Sequence, residues 1–69
     1  MMMSVKEAIP TEIHDDTGDF KRIEFYDTEG DHIIDAVWDD RDEQTPKNRT
    51  EFRIWAYRLM RDKGYQVKM

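Results

Sequence analysis

The chain has 69 residues, 39% charged and 38% apolar, with a formal net charge of −5, two tryptophans and no cysteine. That length admits one domain, which buries only about 60% of its unfolded surface, and so a thin core. The lack of cysteine excludes disulfide staples and thiolate metal sites, and no apolar run reaches the roughly 20 residues of a membrane span.

Residues 1–6 are expected to be disordered. Met1-Met2-Met3-Ser4 lacks the basic region and apolar stretch of a signal peptide, so the expected location is cytoplasmic. Residues 7–38 read as a β-meander. Ala8-Ile9-Pro10-Thr11-Glu12-Ile13-His14 is the first strand, and Pro10, which cannot donate to a ladder, makes it an edge. Two turn signals follow, Asp15-Asp16-Thr17-Gly18-Asp19 and Asp27-Thr28-Glu29-Gly30-Asp31, each suited to a type I turn closed by a left-handed glycine. Between and after them lie Phe20–Tyr26 and His32–Trp38, both rich in strand formers.

The register of the second hairpin is contested within the sequence. The bulged three-residue loop puts Phe25 opposite Ile33 and mixes both faces. A slip of one residue gathers Ile23, Phe25, Ile34, Ala36 and Trp38 on one face. The other face then holds Arg22, Glu24 and Asp35 with Ile33 and Val37. Turn chemistry favours the first pairing and amphipathic patterning the second.

Residues 39–44 form an acidic linker, Asp39-Asp40-Arg41-Asp42-Glu43-Gln44. Thr45-Pro46 reads as N-cap and first helical residue, opening a helix that extends to Lys63-Gly64. Phe52, Trp55, Ala56, Leu59 and Met60 recur at helical period and form the expected core stripe. On this reading both Trp38→Ala and Trp55→Ala nearly unfold the domain, each large side chain contributing roughly 2 kcal/mol. Residues 65–69 are a short fourth strand or a tail, an alternative the alternation of Tyr65-Gln66-Val67-Lys68 leaves open. The expected fold is α+β: a three-stranded antiparallel β-meander packed by one C-terminal α-helix, β-β-β-α with an optional final strand.

Charge divides along the same boundary. Residues 1–44 carry fourteen acids against four bases, and residues 45–69 seven bases against two acids. The two halves suit different partners, or each other. Counted at about 100° per residue, Lys47, Ile54, Tyr57, Arg58 and Arg61 fall opposite the apolar stripe, a basic face with an exposed aromatic suited to an anionic partner. The carboxylates of the turns, Asp15, Asp16, Asp19, Asp27, Glu29 and Asp31, and of the linker, Asp39, Asp40, Asp42 and Glu43, form the competing surface, able to imitate phosphate spacing against a basic site on another protein. Each surface also has a plainer reading: a solvated helix face, and acids placed for turns and solubility.

Catalytic and metal chemistry find little support. Asp27, Glu29 and Asp31 have the opening spacing of a calcium loop, but His32 stands where its glycine belongs and Trp38 where its bidentate glutamate belongs. His14 and His32 have no ligand spacing, Asp15, Asp19 and Lys21 form no specific nuclease pattern, and phosphate loops and nucleophile–base pairs are missing. No catalytic residue, metal or cofactor is therefore assigned.

The expected function is a small non-enzymatic protein-binding module in the style of a phage or mobile-element modulator of a nucleic-acid-handling protein. In element order the chain is similar to the integrase arm-binding and plant AP2-type DNA-binding domains, a resemblance that implies major-groove reading through the sheet. Those sheets are basic and this one is acidic, so nucleic-acid binding through the helix stands second. A homodimer, joined by charge or by a leftover apolar sheet face, is compatible with either.

Overall fold

The structure, a computed structural model, describes residues 5–68. The elements run β1 (Lys6–His14), β2 (Phe20–Tyr26), β3 (His32–Val37), α1 (Pro46–Asp62) and β4 (Tyr65–Val67). One four-stranded sheet has the order β3-β2-β1-β4, and α1 covers one of its faces. The α+β reading holds, and residues 65–67 are a strand, paired parallel to β1 through Lys6↔Tyr65, Glu7↔Gln66 and Ala8↔Val67. Lys6 belongs to β1, so the expected disordered start is too long there; its residues 1–4 lie outside the described residues.

Strand β1 is not an edge throughout. It pairs β4 through Lys6–Ala8 and β2 antiparallel from Ile9 to His14. Pro10 sits just past the β4 pairing and opposite Phe25. Its missing N–H therefore falls where β1 has no neighbour on the β4 side, which is how a proline is accommodated inside a sheet.

Both hairpins use the same device. Asp15 N–H donates to the Asp19 carbonyl (2.9 Å) and Gly18 N–H to the Asp15 carbonyl (3.0 Å); Asp27, Asp31 and Gly30 repeat this at 2.9 and 3.1 Å. Gly18 and Gly30 both have φ 88°, a left-handed conformation that side chains resist. The aspartate opening each turn accepts two further backbone N–H groups: Asp15 Oδ1 from Thr17 and Asp19, and Asp27 Oδ1 from Glu29 and Asp31. Each returning strand then carries one extra residue. Register passes from His14↔Phe20 to Ile13↔Arg22, leaving Lys21 unmatched, and from Tyr26↔His32 to Phe25↔Ile34, leaving Ile33 unmatched.

The bulges settle the contested register. The turn keeps its three-residue loop, and the extra residue then shifts the strand by one, so that Ile23 faces Ala36 and Phe25 faces Ile34. Ile33, which the slipped register alone would put on the outer face, is half-buried and packs against the core. Arg22, Glu24, Asp35 and Val37 alternate away from the core residues, as the slipped register requires.

The core comprises Ala8, Phe20, Ile23, Phe25, Ala36 and Trp38 from the sheet side and Ala56 and Met60 from the helix. Thr45 Oγ1 caps α1 by accepting from Asn48 N–H (3.1 Å), with Pro46 in its first turn. The stripe facing the sheet is rotated from the expected one. Ala56 and Met60 are fully buried, and Phe52, Arg53, Tyr57 and Leu59 are half-buried. Trp55, expected in the core, is 50% exposed, because Arg53 and Tyr57 take the angular sector that would have turned it inward.

The two tryptophans should therefore differ sharply. Trp38→Ala removes a buried ring and should cost about 3–5 kcal/mol. Trp55→Ala should cost less than about 1.5 kcal/mol, since half its surface already meets water. Urea denaturation of the two variants measures both; equal losses would contradict this helix orientation.

Candidate functional site

The acidic segment 39–44 is a fastened loop rather than a free linker. At its start Trp38 is buried, its backbone N–H donating to the carbonyl of Lys21, the extra residue of the first hairpin (2.9 Å). Trp38 Nε1 donates to the Asp42 carbonyl (3.3 Å), and Asp42 N–H to the Asp39 carbonyl (2.9 Å). At its end Gln44 behaves as a one-residue strand. Its Oε1 accepts from Phe20 N–H (2.9 Å) and its Nε2 donates to the Phe20 carbonyl (3.0 Å), satisfying both backbone groups of a buried residue. Arg49 Nε also donates to Gln44 Oε1 (3.2 Å), and Asn48 Nδ2 donates to the Glu43 carbonyl (3.0 Å).

From this loop Asp39, Asp40, Asp42 and Glu43 all reach solvent. They are not equivalent. Arg41 engages Asp39 through Nη2 at 2.8 Å and Nε at 3.1 Å and adds its backbone N–H, which together hold the Asp39 carboxyl at about 2. Asp40, Asp42 and Glu43 form no ion pair among the described residues.

Beside the loop opens a groove of about 520 Å³, lined by Val37, Trp38, Asp39, Asp42, Asn48, Glu51, Phe52 and Trp55. Phe52 meets Trp38 edge-on at 5.2 Å between centroids and Trp55 at 5.8 Å, so the three rings make one aromatic wall. Val37, at the end of β3, is 64% exposed. Trp55, Glu51 and the groove itself were missed in the sequence, because Trp55 was assigned to the core.

The basic face of α1 is thinner than the helical count suggests. Lys47, Ile54, Arg58 and Arg61 are exposed as expected. Tyr57 leaves that face: it is half-buried, meets Phe25 edge-on at 6.2 Å, and burial pushes its hydroxyl pKa up. Two further arginines turn inward. Arg49 Nη2 donates to the Gly18 carbonyl (3.3 Å), and Arg53 Nη2 to Glu12 Oε1 (2.9 Å) while its guanidinium lies 5.2 Å from the Phe20 ring. Among the described residues Glu12–Arg53 is the single ion pair joining the acidic and basic halves.

The remaining candidates have local partners. His14 approaches Glu12 at 3.4 Å and the Gly18 carbonyl at 3.3 Å, and His32 lies 2.7 Å from Asp35. Among the described residues no three His, Asp or Glu side chains converge as a metal site. On the uncovered sheet face, Tyr26 and Arg22 both donate to Glu24 at 2.8 Å, which lowers its carboxyl. Among the described residues no helix is long and apolar enough to cross a membrane. In comparison with known proteins, the chain matches no protein-family model, no curated protein and no solved structure.

The Glu12–Arg53 pair generates a pH dependence. The hydrogen bond from Arg53 lowers the Glu12 carboxyl below its ordinary 4.5, with partial burial opposing. A carboxylate depressed in the folded state contributes stability above its unfolded pKa and loses it as pH falls through the folded value. Both side chains are about one-third exposed (30% and 36%), which screens the pair. Glu12→Gln should cost ~1 kcal/mol at pH 7. The gap from the unsubstituted protein should shrink as pH drops below 4.5. Thermal unfolding at pH 7 and pH 3 measures both.

Proposed function

We propose that this chain is a small non-enzymatic protein-binding module whose acidic loop, Asp39–Glu43, engages a basic surface on another protein. The supporting observation is that free carboxylates, Asp40, Asp42 and Glu43, extend from a loop tied down at Trp38, Asp42 and Gln44 and bordered by an open aromatic groove. A fastened loop loses little conformational freedom on binding, and its negative field steers a cationic partner. Asp15 and Asp27 contribute less to such a surface, since their carboxylates already serve their own turns.

A cationic patch of this kind is what a nucleic-acid-handling protein presents to phosphate. Occupying it is the route by which this chain would act as a modulator of such a protein, in the manner of a phage or mobile-element inhibitor. Direct nucleic-acid binding is the weaker reading. With Arg53 and Tyr57 turned toward the sheet and Arg49 engaged by Gln44 and the Gly18 carbonyl, α1 offers Lys47, Arg58 and Arg61 around Ile54, and the acidic loop repels phosphate.

Affinity capture from the native cell extract, with and without nuclease, tests the proposal. The protein should retain a nuclease-resistant protein partner that salt releases, and a variant with Asp40→Asn, Asp42→Asn and Glu43→Gln should lose it. Recovery of nucleic acid alone, abolished by nuclease, would contradict the proposal.

A further inference from the structure

The aromatic groove has a chemistry more specific than negative charge. Its wall is made by Trp38, Phe52 and Trp55, and its rim by Asp39, Asp42 and Glu51. Asp39 is engaged by Arg41, while Asp42 and Glu51 form no ion pair among the described residues. Trp55 keeps half its surface in water although the chain has a small core to fill. Indole faces attract cations, more strongly when water is partly excluded, and a carboxylate at the rim adds a separate charge-assisted hydrogen bond.

Among protein cations, arginine fits this combination best. Its planar guanidinium stacks on an aromatic face while its N–H fork remains free to bond a carboxylate at the edge. A lysine ammonium is compact and strongly hydrated and gains less from a flat wall. A purely apolar side chain would leave Asp42 and Glu51 desolvated without a partner. A nucleotide base could stack on the rings, but its phosphate would meet the acidic rim.

We infer that this groove receives an arginine side chain from a basic segment of the partner protein, stacked on Trp55 and held by Glu51 and Asp42. The inference rests on the protein-binding reading and names the contact that gives it specificity. The loop carboxylates outside the groove, Asp40 and Glu43, steer the segment, and the groove recognises one residue of it.

The test exploits the tryptophan content: the chain has two, and both line the groove. The full chain is titrated with a blocked arginine-rich peptide while tryptophan emission is followed, alongside matched peptides carrying lysine or uncharged citrulline in place of arginine. The arginine peptide should give a saturable change in emission, the lysine peptide weaker binding and the citrulline peptide none. Glu51→Gln should weaken the arginine peptide about 10-fold, and so should Trp55→Ala read through Trp38.

Equal binding of the citrulline peptide, no saturable response to arginine, or affinity unchanged in both Glu51→Gln and Trp55→Ala would each overturn the inference. An emission change on raising protein concentration alone would also overturn it, by making a second copy of this chain the occupant. Failure here is distinguishable from failure of the broader reading. A cell-extract partner lost on substituting Asp40 and Glu43 but indifferent to Glu51→Gln and Trp55→Ala leaves the acidic loop as the binding surface and removes the groove.

Discussion

One helix must cover the inner face of a four-stranded sheet, and it does so by burying Ala56 and Met60 in one cluster with the sheet residues Ala8, Phe20, Ile23, Phe25 and Ala36. Among the described residues no second layer shares the burial. The small side chain of Ala56 permits close approach of helix to sheet, and Met60 fills the irregular space beside it. The helix can turn that face inward only if the flanking positions are acceptable at the sheet surface. Arg53 meets that condition by bonding Glu12, which the register places on the inner face opposite Ile23. The polar pair is compatible with the rotation that buries Ala56 and Met60, and that rotation leaves Trp55 outside.

The path of the chain between β3 and α1 follows from the same constraint. The helix has to start beside Phe20, whose backbone lies at the bulged end of the first hairpin. Gln44 supplies the two hydrogen bonds that a neighbouring strand would otherwise supply, and Trp38 closes the other end of the loop over the core. Six loop residues are thus held to the domain at several points while their carboxylates face water. Stability and presentation of charge come from one set of contacts, so changes to the acids should leave the fold intact while changes to Gln44 or Trp38 should not.

Much of the architecture was legible because its signals are local. The Asp-x-x-Gly turns and the Thr45-Pro46 helix start each depend on a few neighbouring residues and appear where those residues put them, while the alternation after Gly64 left strand and tail open and is a strand. The register conflict at Phe25 was legible as a conflict and not as a solution, since an extra residue such as Ile33 leaves no mark in a two-residue period. Helix orientation was legible only to within one position. Counting apolar side chains draws the stripe through Trp55, whereas the real stripe includes Arg53 and Tyr57 because of partners on distant strands, Glu12 and Phe25. The acidic surface could be read from composition. The groove could not, because it exists only where Val37 and Trp55 are left over once helix and sheet have met. Gln44 gave little signal beyond being an uncharged polar residue between an acidic run and a helix cap.

The central claim is that residues 39–44 are an ordered part of the domain, so that the acids and the aromatic groove act as one preformed surface. Backbone ¹⁵N relaxation of the free protein tests it directly. The account predicts order parameters for the loop amides close to the ~0.85 of rigid strand and helix amides. Values below about 0.6 across the loop would contradict it, because a loop that moves freely on that timescale cannot hold its carboxylates against the tryptophan wall.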